Sequence, residues 1–201
     1  MRWRGPVALV TVVVMVLGIS SVAVGQPALV VRPLAEKKVS QLPAGPLFWR
    51  IETFGTKAEA ERAASALGLV AESAGKVWLL TLGPAGGAPS PGGTKVGEVG
   101  PLIMPVVAPQ YLLRINQATG PPGSLTPVHT HPGSEAFYVL AGEQSIRTSH
   151  GVLRVAAGKP EAGRGANVPM QVSSSGTTDL HALVMFVVDA TKPFSSPATL
   201  P

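Results

Sequence analysis

Residues Gly123 to Gly142 read GSLTPVHTHPGSEAFYVLAG, and this stretch decides how the rest of the chain is interpreted. It holds two of the four histidines in the protein, His129 and His131, with Glu135 shortly after them. Successive side chains of a strand point to opposite faces, so the two imidazoles are predicted to project from one face. Pro132-Gly133-Ser134 has turn chemistry and predicts a hairpin in which Glu135 lies opposite His131.

Two imidazoles and one carboxylate that converge on one point form a metal triad. This donor set suits non-haem iron(II) and leaves coordination positions open for other ligands. His129, His131 and Glu135 are therefore predicted to bind one divalent metal ion. Iron, manganese, zinc and copper are all compatible with these donors at the level of the sequence.

The spacing of Gly123, His129, His131, Glu135 and Gly142 matches all five fixed positions of the pattern G-x5-H-x-H-x3-E-x6-G. This pattern is the first conserved motif of the cupin superfamily, which the stretch resembles. The resemblance implies an all-β fold, namely a cupin jelly-roll β-barrel with the site inside it. It implies no particular reaction, because this fold hosts many chemistries.

The second cupin motif, G-x5-P-x-G-x2-H-x3-N, is only partly present. Gly158 matches its first glycine, and the best register then places Met170 at the histidine position. Met170 is either a thioether ligand, which would favour a soft metal such as copper(I), or core filling. We prefer core filling, because a buried thioether needs no metal. Gln171 is the nearest polar alternative, and it is predicted to line the pocket with Phe137 and Val139.

His181 is the other candidate for a fourth ligand. If residues 168–173 and 179–188 pair across a two-residue turn, His181 lies opposite Met170 on the same face. A slip of one residue would turn the imidazole onto the outer surface of the sheet. Both orientations stay open from the sequence.

The composition is typical of an all-β protein. The chain has 23 Gly and 20 Pro and only 13% charged residues, which indicates many turns and few long helices. Cysteine is absent, which excludes disulfides, zinc–thiolate sites and cysteine catalysis. The formal net charge is +5, but the basic residues are scattered and aromatic residues make up only 5%, so nucleic-acid binding is not expected.

The first 25 residues have the pattern of a signal peptide. Arg2 and Arg4 precede an apolar run over residues 7–19, and Ala23-Val24-Gly25 offers small residues to a signal peptidase. The competing interpretation is an uncleaved membrane anchor, since a bilayer-spanning helix needs about 20 apolar residues. The small residues favour cleavage, and we expect a secreted or periplasmic chain that starts at Gln26.

The rest of the chain divides into four expected segments: an extended leader over 26–46, a strand-helix-strand extension over 47–83 packed on the barrel, the cupin barrel over 94–190, and a surface tail over 191–201. Within the extension, Thr56 and Glu59 form a capping-box pattern. It predicts a helix over 58–67 that ends at Gly68.

Three hypotheses for the function follow from these features. The first is a metal-dependent enzyme acting on a small organic molecule, above all an oxygenase, because the triad leaves positions open. No residue is identifiable as a general base, so isomerase and lyase chemistry stay open as well. The second is a non-catalytic cupin that binds or senses a small ligand, which the degraded second motif suggests. The third, ranked last, is a structural protein with a vestigial triad.

The expected partners are few. A small-molecule ligand is expected in the barrel, and a membrane would be contacted only through an uncleaved N-terminal segment. Resemblance to cupins is also compatible with a homodimer that pairs through its sheets.

Overall fold

The computed structural model describes residues 1, 26–103 and 107–200. The predicted signal peptide therefore falls outside the described residues, apart from Met1. Within the described ranges, no helix is both long enough and apolar enough to cross a membrane.

The described residues form one helix and fourteen strands. In chain order these elements are β1 (Val30–Val39), β2 (Phe48–Phe54), α1 (Lys57–Ala63), β3 (Gly68–Ser73), β4 (Lys76–Gly83), β5 (Thr94–Val99), β6 (Tyr111–Gly120), β7 (His129–Thr130), β8 (Gly133–Ala141), β9 (Glu143–Thr148), β10 (Gly151–Ala156), β11 (Pro160–Arg164), β12 (Gln171–Ser174), β13 (Leu180–Asp189) and β14 (Ser196–Pro197).

A barrel of antiparallel strands makes up most of the molecule. Its main sheet has five strands in the order β1-β6-β13-β8-β11, and the second sheet has the order β10-β9-β12. A short pair, β14-β7, and isolated bridges such as that between Leu125 and Ser173 connect the two sheets at one end. Side chains from both sheets share one buried cluster, including Phe137, Ile146 and Val172. The predicted all-β jelly roll is confirmed.

The sequence of β13 shows why the main sheet is so apolar. Val184 and Phe186 point into the barrel and join its internal cluster, whereas Leu183 and Met185 point outward into a second cluster. A strand buried on both faces needs apolar residues at every position rather than at alternate ones. The outward residues need a cover, and the N-terminal half of the chain supplies it.

This cover is a four-stranded antiparallel sheet in the order β3-β4-β2-β5. Trp49 and Leu80 from this sheet lie in the same buried cluster as Leu183 of the barrel. The rings of Trp78 and Tyr138 meet edge to face across the contact, with centroids 6.4 Å apart. The extension is larger than the expected 47–83 unit, because β5 pairs with β2 and does not join the barrel.

Two further segments differ from expectation. The leader over 26–46 contains β1, which is an edge strand of the barrel paired with β6 along its length. The Thr56–Glu59 capping box is present as predicted, but α1 ends at Ala63, and Gly68 begins β3 instead of capping the helix. The Leu67 carbonyl accepts a hydrogen bond from the Leu82 amide at 3.1 Å, so pairing with the sheet ends the helix early.

Candidate metal centre

The three predicted ligands lie together inside the barrel. One ring nitrogen from each of His129 and His131 and one carboxylate oxygen of Glu135 lie within 4.8 Å of one another. The two imidazole rings meet edge to face with centroids 5.0 Å apart. His129 is half-buried, while His131 and Glu135 are buried. The predicted convergence of the triad is therefore present in the structure.

The hairpin that was expected to produce this convergence is absent. β7 pairs with β14 rather than β8, and Glu135 lies opposite Phe186 of β13 and Arg164 of β11. Gly133 instead begins β8 in close contact with β13, where an added Cβ would overlap the Val187 carbonyl. The prediction that Glu135 pairs with His131 is wrong, because neighbours from the main sheet outcompete the local turn.

Backbone carbonyl groups fix both imidazole rings. The Nδ1 atom of His129 lies 2.8 Å from the Pro127 carbonyl oxygen, and that of His131 lies 2.7 Å from the Phe194 carbonyl oxygen. A carbonyl oxygen can only accept, so each Nδ1 carries the proton and donates. In a neutral ring the Nε2 atom then presents a lone pair, which is how metal-binding histidines are commonly oriented.

His131 is held in the neutral state that a metal requires. Burial lowers the pKa of its imidazole to about 4, although the hydrogen bond to Phe194 opposes the shift. At neutral pH the ring therefore keeps a free lone pair on Nε2. No proton has to be removed from it before it can act as a ligand.

Glu135 carries the least satisfied group of the site. Its Oε2 atom is buried and has no hydrogen-bond partner among the described residues. Burial raises the pKa of this carboxyl to about 8, against the opposing charge of Arg164. A buried carboxylate needs either a proton or a cation. Once Glu135 is deprotonated, all three groups are acceptors that fit a metal cation, so the residues present suit such an ion.

A cavity of about 460 Å³ adjoins the triad. Its wall is mostly apolar and includes Leu29, Ala118, Phe137, Val184, Phe186 and Phe194. The predicted pocket residue Phe137 therefore lines it. Val139 lies deeper in the barrel core and is fully buried, while Gln171 turns aside, with its amide nitrogen 3.0 Å from the Thr126 carbonyl oxygen. Neither Val139 nor Gln171 is among the lining residues.

Met170 occupies the barrel interior, as the sequence predicted. Its side chain is 1% exposed and belongs to the internal cluster with Phe137 and Val172. Its backbone pairs with that of His129 through two hydrogen bonds of 2.9 Å. Met170 is not among the residues that line the cavity. The structure therefore supports core filling as its role.

His181 is not a fourth ligand. The predicted pairing of residues 168–173 with 179–188 is wrong, since β12 pairs with β9 and β13 pairs with β6 and β8. His181 shares the outward face of β13 with Leu183. Its Nε2 atom lies 2.8 Å from the Ser73 hydroxyl of the extension, on the far side of the sheet from the triad.

Sequence reasoning missed the contribution of the C-terminal tail to the site. Phe194, Ser195 and Pro197 line the cavity, and β14 pairs with β7, which carries His129. The only available signal was one phenylalanine in a proline-containing tail that was expected to cover the surface. Every residue has a backbone carbonyl, so the hydrogen bond between His131 and the Phe194 carbonyl cannot be recognised from residue types and depends on the tertiary structure.

Comparisons with known proteins give partial structural matches. A cupin superfamily protein from Desulfitobacterium hafniense is 14% identical with a TM-score of 0.34, covering 38% of this chain and 68% of that one. A cupin-like protein from Thermotoga maritima is 13% identical with a TM-score of 0.37, covering 44% and 65%. A DMSP lyase from Ruegeria pomeroyi is 20% identical with a TM-score of 0.35, covering 43% of each chain.

The chain spans about half of the length of two further matched structures, 48% of one and 44% of the other. No protein-family model and no curated protein matches the sequence. The chain itself combines an all-β jelly-roll barrel with the motif residues His129, His131 and Glu135 close together inside it. In these two features the chain is similar to cupins.

Proposed function

We propose that this protein binds one divalent metal ion through His129, His131 and Glu135 and acts as an oxygenase on a small organic molecule. The observation that carries this proposal is the convergence of three acceptor atoms within 4.8 Å, one of them a buried carboxylate oxygen without a partner. Such a set is costly to bury unless a cation completes it. Two imidazoles and one carboxylate leave further coordination positions for a ligand.

The residues of the chain have distinct parts in this proposal. His129 and His131 would donate through Nε2, since their Nδ1 atoms are engaged by carbonyl groups. Glu135 would offset part of the charge of the ion inside an apolar wall. A bound divalent metal supplies Lewis acidity and, for iron, one-electron chemistry with oxygen.

The cavity limits the class of ligand. Its polar lining beyond the triad consists of Asn116, Thr126 and Ser195, and no lysine or arginine lines it within the described part of the chain. A phosphate group would be left without a cationic partner there. The cavity therefore suits a compact, largely apolar molecule with an oxygen atom that reaches the metal.

The residues that line the cavity also favour one of the three reaction types left open by the sequence, namely oxygenase, isomerase and lyase reactions. Among the described residues, the triad supplies all the titratable side chains that face the cavity. Isomerase and lyase reactions usually need a separate general acid or base within hydrogen-bond reach of the substrate. An oxygenase needs the metal and an enclosed apolar site, and that requirement agrees better with this lining.

Metal titration of the full chain tests the proposal. Wild-type protein stripped of metal should bind one equivalent of Co²⁺, with the visible absorption of a nitrogen–oxygen site. His129→Ala should abolish this binding and leave the circular dichroism spectrum unchanged, because the apolar strands carry the fold. His150→Ala changes an exposed turn histidine and is the matched control. Equal Co²⁺ binding by wild type and His129→Ala would overturn the proposal.

The second candidate is a cupin that binds or senses a small ligand without catalysis. Met170 in the core, at the position of the missing histidine, favours it, because the site then has one ligand fewer than the family pattern. The iron(II)-loaded protein should bind nitric oxide if open positions are accessible, as an oxygenase requires. Failure to bind nitric oxide, with the iron retained, would favour the binding function.

We also propose that the protein is exported. Arg2, Arg4, the apolar run and Ala23-Val24-Gly25 support this proposal. The intact mass of protein recovered from the producing cells should correspond to a chain that starts at Gln26. A mass that includes the first 25 residues would indicate an anchor.

A further inference from the structure

The C-terminal residues 191–200, here called the strap, cross the mouth of the site. Ser196 lies opposite Thr130 and Pro197 opposite His129 in the β14-β7 pair. The Ala198 amide extends this pairing with a hydrogen bond of 3.1 Å to the Val128 carbonyl. The strap is therefore joined to the short strand that carries the first histidine.

The start of the strap is fixed to the end of β13. The Asp189 carboxylate accepts hydrogen bonds from the Thr191 amide at 2.9 Å and from the Thr191 hydroxyl at 2.7 Å. The Lys192 amide donates to the Asp189 carbonyl at 3.3 Å. With both ends held, the intervening residues 193–195 have a defined path over the triad.

Phe194 lies at the centre of that path. Its ring centroid is 4.7 Å from that of His131 and 4.9 Å from that of Phe186. The Arg114 guanidinium lies over the Phe194 ring, 4.2 Å from its centroid. Ring packing and the cation–π contact together fix the backbone of Phe194.

The carbonyl of this residue is the group that binds His131 Nδ1, at 2.7 Å. The side chain of Phe194 thus holds in place the acceptor that decides which nitrogen of His131 carries the proton. Partners of this kind commonly change metal affinity by about 10–100-fold when they are lost.

We infer that Phe194 is a positioning residue, whose packed ring holds its carbonyl against His131 and so presents the Nε2 lone pair to the metal. The inference rests on the proposed metal site, but Phe194 should set the tautomer of His131 whether or not a metal is bound. The two can therefore be tested separately.

The test uses the full chain with Phe194→Gly, which removes the ring and frees the backbone, and Phe194→Leu, which keeps apolar packing and the carbonyl. Nitrogen-15 NMR of the metal-free proteins reports the tautomer of each histidine. Wild type and Phe194→Leu should show His131 protonated at Nδ1. Phe194→Gly should show a mixture of tautomers and bind Co²⁺ about tenfold more weakly.

Two controls separate positioning from general destabilisation. His129 is held by Pro127, so its tautomer should stay unchanged in Phe194→Gly. Phe54→Ala removes a phenylalanine from a buried cluster of the extension and should lower stability without changing either tautomer or Co²⁺ affinity. If the glycine variant does not fold, Phe194→Ala takes its place, with a smaller change in the same direction.

A variant Phe194→Gly with the wild-type tautomer of His131 and wild-type Co²⁺ affinity would overturn the inference. If wild type binds no Co²⁺, the proposed function fails, while the NMR comparison still decides whether Phe194 positions His131.

Discussion

The two faces of the five-stranded sheet are built from alternating residues of the same strands, yet they differ in how completely they are packed. On the outer face, Leu183 and Met185 are fully buried against the extension sheet, together with Trp49 and other large side chains. On the inner face, Val184 and Phe186 line a cavity of about 460 Å³. The outer face is filled, and the inner face keeps open space.

One ionisable side chain on each face of the sheet shows a further contrast. The outward His181 has the Ser73 hydroxyl as a partner at 2.8 Å, and this hydroxyl donates in turn to Gln117 at 2.8 Å. The inward Glu135 has a buried carboxylate oxygen without a partner among the described residues. Residues that pack against the extension and residues that face the candidate site therefore alternate along one strand, because successive side chains point to opposite faces.

The largest expected effect is on the outer face. Leu183→Ala should lower the free energy of unfolding by about 2–5 kcal/mol, because the rigid interface between the sheets cannot collapse around the cavity that is left. Urea unfolding of the metal-free protein measures this loss. The affinity of the folded variant for Co²⁺ should not change.

Its matched partner is Val184→Ala, one residue further along β13. Val184 already borders open space, so removing two methyl groups should cost less than the Leu183 change. A larger loss for Val184→Ala than for Leu183→Ala would contradict the proposed division between a filled face and an open one.

Glu135→Gln should separate stability from metal binding on the inner face. The substitution keeps the shape of the side chain but removes the buried ionisable group. Loss of a direct ligand should weaken Co²⁺ binding by more than the roughly 10–100-fold typical of outer partners. At pH 9 the metal-free variant should be at least as stable as wild type in urea. A marked loss of stability would show that Glu135 has a structural partner.

The affinity for metal should rise with pH below about 8. Burial raises the pKa of Glu135 to about 8, so binding at lower pH must displace its proton, and Co²⁺ affinity should increase about fivefold between about pH 7 and pH 8. Isothermal titration at several pH values measures the slope. Glu135→Gln should remove it, and a flat wild-type profile would contradict the raised pKa.

The raised pKa of Glu135 also predicts that the stability of the metal-free protein falls as pH rises, opposite to the trend in metal affinity. The folded state keeps a proton on Glu135 that the unfolded chain releases at its ordinary pKa, and a raised folded pKa favours the protonated state. Between that ordinary pKa and pH 8 the contribution of Glu135 to stability should therefore fall as pH rises. The difference between wild type and Glu135→Gln in urea unfolding isolates it.

The smallest expected effect is that of Met170→Leu. This change conserves volume in the core and should cost less than about 1.5 kcal/mol. Because Met170 belongs to the internal cluster, affinity for Co²⁺ and for copper(I) should stay as in wild type. A selective loss of copper(I) affinity would instead assign its sulfur to the metal site.

Much of the fold and the core of the site could be predicted from the sequence. The motif over Gly123–Gly142 predicted both the barrel and the convergence of His129, His131 and Glu135. The capping box at Thr56 predicted the start of α1. The ligand types and the start of the helix depend on residue types at short spacing. The barrel was implied by the resemblance of the motif to cupins, and Glu135 is placed by the pairing of β8 with β13.

Strand pairing could not be predicted in the same way. The uniformly apolar β13 gave no alternation from which to infer its partners, so the predicted pairing that placed His181 near Met170 was wrong. The hairpin predicted at Pro132 was also wrong, because each of its strands has better partners elsewhere. Register in a sheet buried on both faces is decided by packing of distant segments.

The sequence by itself determined the ligand types, because these are side chains close together along the chain, and the resemblance of its motif to cupins implied the class of fold. Only the tertiary structure decided that β1 closes the barrel edge, that His181 faces the extension, and that the Phe194 carbonyl holds His131. Each of these depends on backbone groups or on strand partners far apart in sequence. Backbone carbonyls are identical at every residue, so which of them accepts a hydrogen bond from a given side chain becomes visible only when the chain is folded.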